Sequence, residues 1–418
     1  AFPFPVRALH VDSTSFHVHG VYGSGEEGQT DTGDEPLVIR LTHGYSRDHR
    51  PDLKQWVMNL ICADTGGIPL LFAPADQEAL VPLLARYRQG LELGEVVVLD
   101  GASYSQENLG ALQGFSWVMR VPATLKEARA LLREELPQEA WRPLLPGYRG
   151  LEVESEYGGV RQRWLLVESQ ERARMEEASL RQRIVRAEGE ARKVLGQLTA
   201  RTFACEADAR RALSEASGRL PLHRLVYLGV QEERQWERVG RPGKGERPLA
   251  VVYRLRARLE VDQEKLERAR RGLGRFLLAT NVLDREGLPP QEVLRRYKDQ
   301  ARTVERGFRF LKDPLFFAES TFLKRPERVM ALGMVMALAL LVYALGEWAL
   351  RRRLWEAGSS LPDQKGRPTA KPTLRWVFQL FMWVRLVELG GRWFVLNLAP
   401  HHETAVRLLG AGRYYLLE

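Results

Sequence analysis

The sequence predicts a mixed α/β fold in which a sheet-based core is split by a large inserted mixed domain and followed by a helical C-terminal region. Three observations predict it. Short apolar and β-branched runs fill the first 120 residues, residues 169–220 are dense in Glu, Arg, Gln and Ala, and apolar residues at helical spacing dominate after Arg325. The chain has 418 residues and is 44% hydrophobic, enough for one large core or a few ordinary ones.

The N-terminal elements follow in order. ALHVDST and SFHVHGVY are short alternating runs broken near Gly20, and the polar, Gly-rich GSGEEGQTDTGDEP is a loop. PLVIRL and, after GYSRDHRPDLK, QWVMNLICA read as strands; ADTGG is a turn, and GIPLLF returns as a hairpin partner. Residues 76–88 (DQEALVPLLARYR) place Leu80, Leu83, Leu84 and Tyr87 on one helical face, with an acidic start and a basic finish. EVVVLD has the unbroken Val and Leu run of a strand buried on both faces, with its acid at the C-terminal end. Ser103, Tyr104, Ser105 and Gln106 offer a capped start to the helix SQENLGAL, and FSWVMRVP is the next strand.

Beyond Pro122 the character changes. ERARMEEASLRQRIVRAEGEARKVLGQL and ACEADARRALSEASGRL favour long, charged, paired helices, surrounded by the strand-like RWLLVES, HRLVYLGV and AVVYRLRARLEV. The chain rejoins the core at GRFLLATN, and DREGLPPQEV caps and starts a helix that runs through YKDQARTVERGFRFLK. These shifts divide the chain into residues 1–121, an insertion at 122–274, the end of the core at 275–325, and helices at 326–418 broken by SSLPDQKGRPTAKPT. Residues 329–345 are uncharged but at or just below the length of a membrane span and have basic residues at both ends, so a buried core helix, with no membrane partner, is expected. AFPFPVRALH lacks the layout of a secretory signal and runs almost directly into a strand, which leads to the expectation of a further region upstream.

Composition narrows the function. With 62 Lys and Arg against 53 Asp and Glu, the net charge of +9 is modest but clustered, which suits a nucleic-acid partner. Only Cys62 and Cys205 occur, which excludes a disulfide framework and a Cys-rich zinc site and fits a reducing cytosol. His17 and His19 share one strand face near His10, but no third ligand follows at a recognisable spacing, and they read as structural or solvent-facing. Neither GSGEEG nor RPGKGERP has the strand-to-helix context of a phosphate-binding loop.

Three acids stand apart, each closing or interrupting an otherwise structured run: Asp12 in ALHVDST, Asp100 in GEVVVLD and Glu305 in YKDQARTVERGFRFLK. A three-carboxylate cluster is what two divalent metals need for phosphodiester chemistry. On one continuous helix Lys298, Arg302, Glu305, Arg309 and Lys312 would share a stripe, read either as an exposed face of ion pairs or as one metal ligand among phosphate contacts. The order of strands and helices before Pro122 matches an RNase H-like sheet, and by that analogy the strands of Asp12 and Asp100 lie side by side.

On LHVDSTSFHVHGVY, HGYSRDHRPDLKQWVMNLICADTGGIPL, VVLDGASYSQENL, GFSWVMRVP, GRFLLATN and YKDQARTVERGFRFLK, in that order, the chain resembles the D-D-E insertion-sequence transposases, in particular the insertion-sequence-four superfamily. The resemblance implies a catalytic and metal-binding triad of Asp12, Asp100 and Glu305. It also implies Mg²⁺ as cofactor, with Mn²⁺ substituting, in a pair of ions roughly 3.5–4 Å apart. The partners it implies are double-stranded DNA, as terminal inverted repeats and target, and a second copy of the chain on that DNA. A bacterial cytoplasmic, nucleoid-associated location goes with it. Of the superfamily's Tyr, Arg, Glu, Lys signature, Glu305 and Lys312 keep their spacing, while Tyr297 and Arg302 are each one residue out of register. The implied DNA contacts are Lys312, Arg309, Arg302, Tyr297 and Lys298, with Arg47, Arg50 and Lys54 in GYSRDHRPDLK. Two other readings compete: a catalytically inactive remnant that binds DNA or partner subunits, and a membrane-associated protein built on residues 329–345.

Overall fold

The computed structural model describes residues 4–19, 39, 41–43, 50–75, 80–81, 83–84, 96–236, 247–313, 323 and 325–416. The chain divides into two compact units, residues 1–120, 154–163 and 279–418 in the first and 121–153 and 164–278 in the second.

The first unit is built on β1 (Ala8–Val18), β2 (Lys54–Ala63), β3 (Pro69–Ala75), β4 (Val96–Leu99) and β5 (Ser116–Val121), in the spatial order β3-β2-β1-β4-β5. β1 pairs antiparallel with β2 and β2 with β3, whereas β1 with β4 and β4 with β5 run parallel. This is the expected RNase H-like mixed sheet. ALHVDST and SFHVHGVY are not two strands: the register from Leu9↔Ala63 to Val18↔Lys54 is unbroken, because β2 satisfies the backbone through Ser13, Thr14 and Ser15. The expected helix over residues 76–88 is described at Leu80, Val81, Leu83 and Leu84, all helical and buried; its ends and Tyr87 lie outside the described residues. Of PLVIRL only Ile39 and Leu41 are described, both buried, and the GSGEEG loop lies outside the described residues.

Helices cover one face of this sheet. The helices of the unit include α1 (Gln106–Ala111), α2 (Pro290–Asp299), α3 (Val304–Leu311) and α4 (Pro326–Glu356). Phe16 and Val18 of β1 and Trp56, Met58, Leu60 and Cys62 of β2 form one buried cluster with Val304, Phe308 and Leu311 of α3 and Val329, Met336 and Leu340 of α4. Phe16 stacks on Trp56 with ring centroids 5.1 Å apart. α4 is long and apolar enough to cross a membrane by length and composition. Only one stripe of it is buried, however, while Met334, Val335, Leu338 and Val342 on the other side are exposed, so the expected core helix is half-buried.

The C-terminal region is helical with two breaks, the expected one at SSLPDQKGRPTAKPT and a second beyond it. Two short antiparallel pairs interrupt it, Leu361–Pro362 with Pro368–Thr369 and Arg385–Leu389 with Arg392–Leu396. Gly390 and Gly391, at φ +58° and +76°, make the two-residue turn of the second pair, a conformation that costs glycine little. Leu386, Leu389, Trp393, Phe394 and Leu396 on that hairpin are all exposed.

In the second unit the charged stretch folds as helices Gln170–Ala200 and Glu206–Arg219, with Ser169 capping the first through a bond from the Arg172 N–H at 3.3 Å. Ala191, Ala209 and Leu213 on these helices pack with Leu225 and Leu255 of the strands His223–Gln235 and Ala250–Val261. Arg254, Arg256 and Arg258 alternate with those inward residues and are exposed.

Candidate active site

Register brings the two aspartates level. Along the parallel pair, Ala8 faces Val96, Leu9 faces Val97 and His10 faces Val98, so Asp12 and Asp100 each lie two residues further on, at matching positions of adjacent strands. Adjacent strands are about 4.8 Å apart. Asp12 and Phe16 are four residues apart on β1 and share a face, and Phe16 packs in the cluster under α3; Glu305 is the second residue of α3. The sheet and the helix thus offer all three acids to one face.

Local hydrogen bonds orient the aspartates. Asp12 Oδ1 accepts the Ser13 N–H at 2.8 Å. Asp100 Oδ1 accepts the Gly101 N–H at 2.6 Å and so caps the short 3₁₀ turn Gly101–Ser103 that follows β4. Within the expected capping stretch, Ser105 caps α1, accepting the Asn108 N–H at 3.2 Å.

The Glu305 helix departs from expectation. Instead of one helix carrying a single basic stripe, α2 ends at Asp299, Gln300–Arg302 is a 3₁₀ turn, and α3 begins at Val304. The break is held by Thr303, whose hydroxyl donates to the carbonyls of Asp299 at 2.9 Å and Gln300 at 3.1 Å, and whose backbone packs against Gly67. Tyr297 and Lys298 therefore lie on α2, Arg302 in the turn, and Arg309 and Lys312 on or just after α3. Among the described residues Glu305 forms no ion pair with Arg302 or Arg309; Arg309 donates to the Ala301 carbonyl at 3.2 Å. Lys312 Nζ stands 5.4 Å from the Phe16 ring centroid.

Tyr297 links the parts. Burial pushes its hydroxyl above the usual tyrosine range, the Arg120 guanidinium on β5 opposes this by charge and by a hydrogen bond, and the Asp100 and Glu305 carboxylates both add to the rise. One phenol thus senses an acid from the sheet and the acid from the helix. Arg120 was missed in the sequence, where FSWVMRVP reads only as a strand. Cys62 gives the corresponding link to Asp12: burial pushes its thiol up to about 12, with Asp12 adding and Arg306 opposing. His10, fully buried on β1, is pulled down to about 4 by burial and then by Arg296.

The all-oxygen donor set of three carboxylates suits Mg²⁺ or Mn²⁺. Among the described residues, no three His, Cys, Asp or Glu side chains gather closely enough to hold a single ion. The frame brings Asp12 and Asp100 to neighbouring positions and Glu305 to the same face without closing them into one cage.

In GYSRDHRPDLK, Arg50 is exposed and holds Asp52 through two bonds of 2.9 and 2.7 Å, which pulls the Asp52 carboxyl down to about 2. Lys54 opens β2 and is half-buried, and Arg47 lies outside the described residues.

Comparison with curated proteins gives no match. Among solved structures, the chain is similar to one described as a cryo-EM structure of piggyBac transposase synaptic complex with hairpin DNA, at 9% identity and a TM-score of 0.38. The match covers 90% of this chain but 52% of that one, so the chain spans about half its length. The transposase DDE domain family matches residues 5–342, most of the length from before β1 into α4. The protein is a member of the transposase DDE domain family.

Proposed function

We propose that the protein cleaves and joins phosphodiester bonds at the ends of an insertion sequence, with Asp12, Asp100 and Glu305 as its catalytic carboxylates. The observation that carries this reading is the β1–β4 register, which sets Asp12 level with Asp100 on the face that α3, bearing Glu305, covers. The three side chains would hold Mg²⁺, or Mn²⁺ in its place. Bound divalent ions would activate the attacking water or 3′-OH and stabilise the leaving oxygen. Arg302, Arg309, Lys312, Lys298 and Tyr297 would engage the flanking phosphates, with Arg120 holding the Tyr297 hydroxyl in place. Arg50 and Lys54, with Arg47 in the same segment, would extend that contact along double-stranded DNA, both at terminal inverted repeats and at the target. Two copies would act together, one at each end, and the exposed apolar hairpin of the C-terminal region supports a chain-to-chain contact.

Nicking of supercoiled plasmid in Mn²⁺ tests the reading. Wild type should nick, and Glu305→Gln or Asp100→Asn should lower the rate on the order of 10³-fold, about 4 kcal/mol of barrier. Equal nicking by wild type and both variants would remove the carboxylates from the chemistry. A folded wild type that binds DNA but never nicks would favour the inactive, DNA-binding reading.

A further inference from the structure

Beside the start of α3 lies a cleft of about 400 Å³ whose wall includes four arginines, Arg302, Arg306, Arg309 and Arg351, and the Gly66–Gly67 turn. Its inner wall carries a charge imbalance. Arg306 and Arg351 both bond Oε1 of Glu347, Arg351 at 2.8 Å, while Oε2 of Glu347 accepts the Leu374 N–H at 3.0 Å. Glu347 is 2% exposed, so one buried carboxylate faces two guanidinium groups. The Arg306 and Arg351 side chains are only 31% and 29% exposed, and partial burial of the second cation carries a cost that an anion in the cleft would offset. Burial accordingly pulls Arg351 below the usual arginine range, with Glu347 opposing and Arg306 adding to the fall.

The acids on the wall do not supply that anion. Asp64 accepts the backbone N–H groups of Arg7 at 3.1 Å and Thr65 at 3.0 Å. Burial pushes Asp299 above the usual carboxylate range, with Arg302 opposing. Among the described residues neither forms an ion pair with Arg306 or Arg351. The turn closes the cleft tightly: Gly67 has φ +65°, and a Cβ there would stand 3.1 Å from Thr303 Cα. The Arg306 guanidinium also donates to the Gly66 carbonyl at 3.0 Å, which fixes it at the turn.

We propose that this cleft holds one phosphate group of a DNA strand, with Arg306 and Arg351 at its inner wall and Arg302 and Arg309, already assigned to flanking phosphates, at its mouth. Planar guanidinium groups match phosphate oxygens in pairs, and a single phosphodiester carries the one negative charge that the Arg306–Glu347–Arg351 group lacks. The proposal rests on the reading of the chain as a DNA-acting protein. Its new content is the role of Arg306, Arg351 and Glu347, which lie outside the Tyr, Arg, Glu, Lys pattern.

The test uses the full chain in EDTA, so that cleavage plays no part. Binding of a fluorescent duplex is measured against salt for wild type, Arg302→Gln and Arg309→Gln, with Arg256→Gln, an exposed arginine of the second unit, as the charge-matched control. The two mouth residues are exposed, so both variants should fold. Each should weaken binding about three- to tenfold and reduce the slope of log affinity against log salt by about 1, while the control changes neither. Inorganic phosphate should raise the unfolding midpoint of wild type beyond chloride of equal ionic strength, and less so in Arg351→Lys. Unchanged affinity and slope in both mouth variants would overturn the proposal, as would phosphate acting no differently from chloride. Phosphate protection with unaltered DNA binding would assign the cleft to free phosphate and overturn its place on DNA. Absence of nicking with these results intact would count against the carboxylates alone.

Discussion

The two units hold charge in different ways. In the first, β2 is buried from Gln55 to Ala63 and β4 throughout; Asp100 follows the last residue of β4, and Asp12 lies where the neighbouring β1 turns from buried to half-buried. In the second, the strands His223–Gln235 and Ala250–Val261 alternate between inward apolar residues and outward charges paired in water, such as Arg224 with Glu260 at 3.0 Å and Arg254 with Glu233 at 2.7 Å. The contrast teaches where precision comes from. A strand packed on both faces cannot slip by one residue without disrupting close packing on both sides at once, so a carboxylate at its end is fixed in place. Exposed charges on a one-sided sheet can rearrange at little cost.

The largest expected difference is all-or-none. Cys62 on β2 is fully buried and its thiol is pushed up to about 12, so it stays protonated at pH 8, whereas Cys205 in the second unit is exposed. A maleimide should label Cys205 in the native protein and reach Cys62 only in denaturant; rapid native labelling of both would break the picture of a closed sheet. Next, Trp56→Ala removes a 0% exposed ring from beneath α3 and α4 and should cost about 3–5 kcal/mol in urea unfolding. A loss below about 1 kcal/mol would mean that these helices do not pack on β2.

Glycine-to-alanine changes sharpen the comparison within helices. At Gly333 of α4 a Cβ would stand 2.9 Å from the Trp56 ring, so the overpacking cost of about 1–3 kcal/mol should exceed the gain of about 1 kcal/mol in helix propensity. Gly189 in the long helix of the second unit has nothing within 4 Å of that position, and Gly189→Ala should raise stability by up to about 1 kcal/mol. Equal effects of the two changes in thermal unfolding would erase the distinction. Smallest of all, a double-mutant cycle on Arg224 and Glu260, with side chains 56% and 28% exposed, should give a coupling under about 1 kcal/mol that fades with salt.

Much of the fold was written in short-range pattern. The Val and Leu run of β4, the serine cap before α1 and the Glu/Arg-rich helices each follow from a handful of neighbouring residues, whose backbone preferences and periodicity act locally. The Gly390–Gly391 turn between alternating apolar runs is equally local, although it lies beyond SSLPDQKGRPTAKPT in a stretch where helix is expected. The isolation of Asp12, Asp100 and Glu305 within their segments was also visible in the sequence.

What the residues alone could not supply was proximity. The sequence by itself determined which segments become strand or helix and which acids stand at their margins, because those properties depend on a few adjacent side chains. Only the tertiary structure decided that Asp12 and Asp100 share a level, that Thr303 breaks the Glu305 helix against Gly67, that Arg120 meets Tyr297, and that Arg306 and Arg351 converge on Glu347. Each of these joins residues far apart in the chain, and their meeting is fixed by how buried faces pack together rather than by any local pattern.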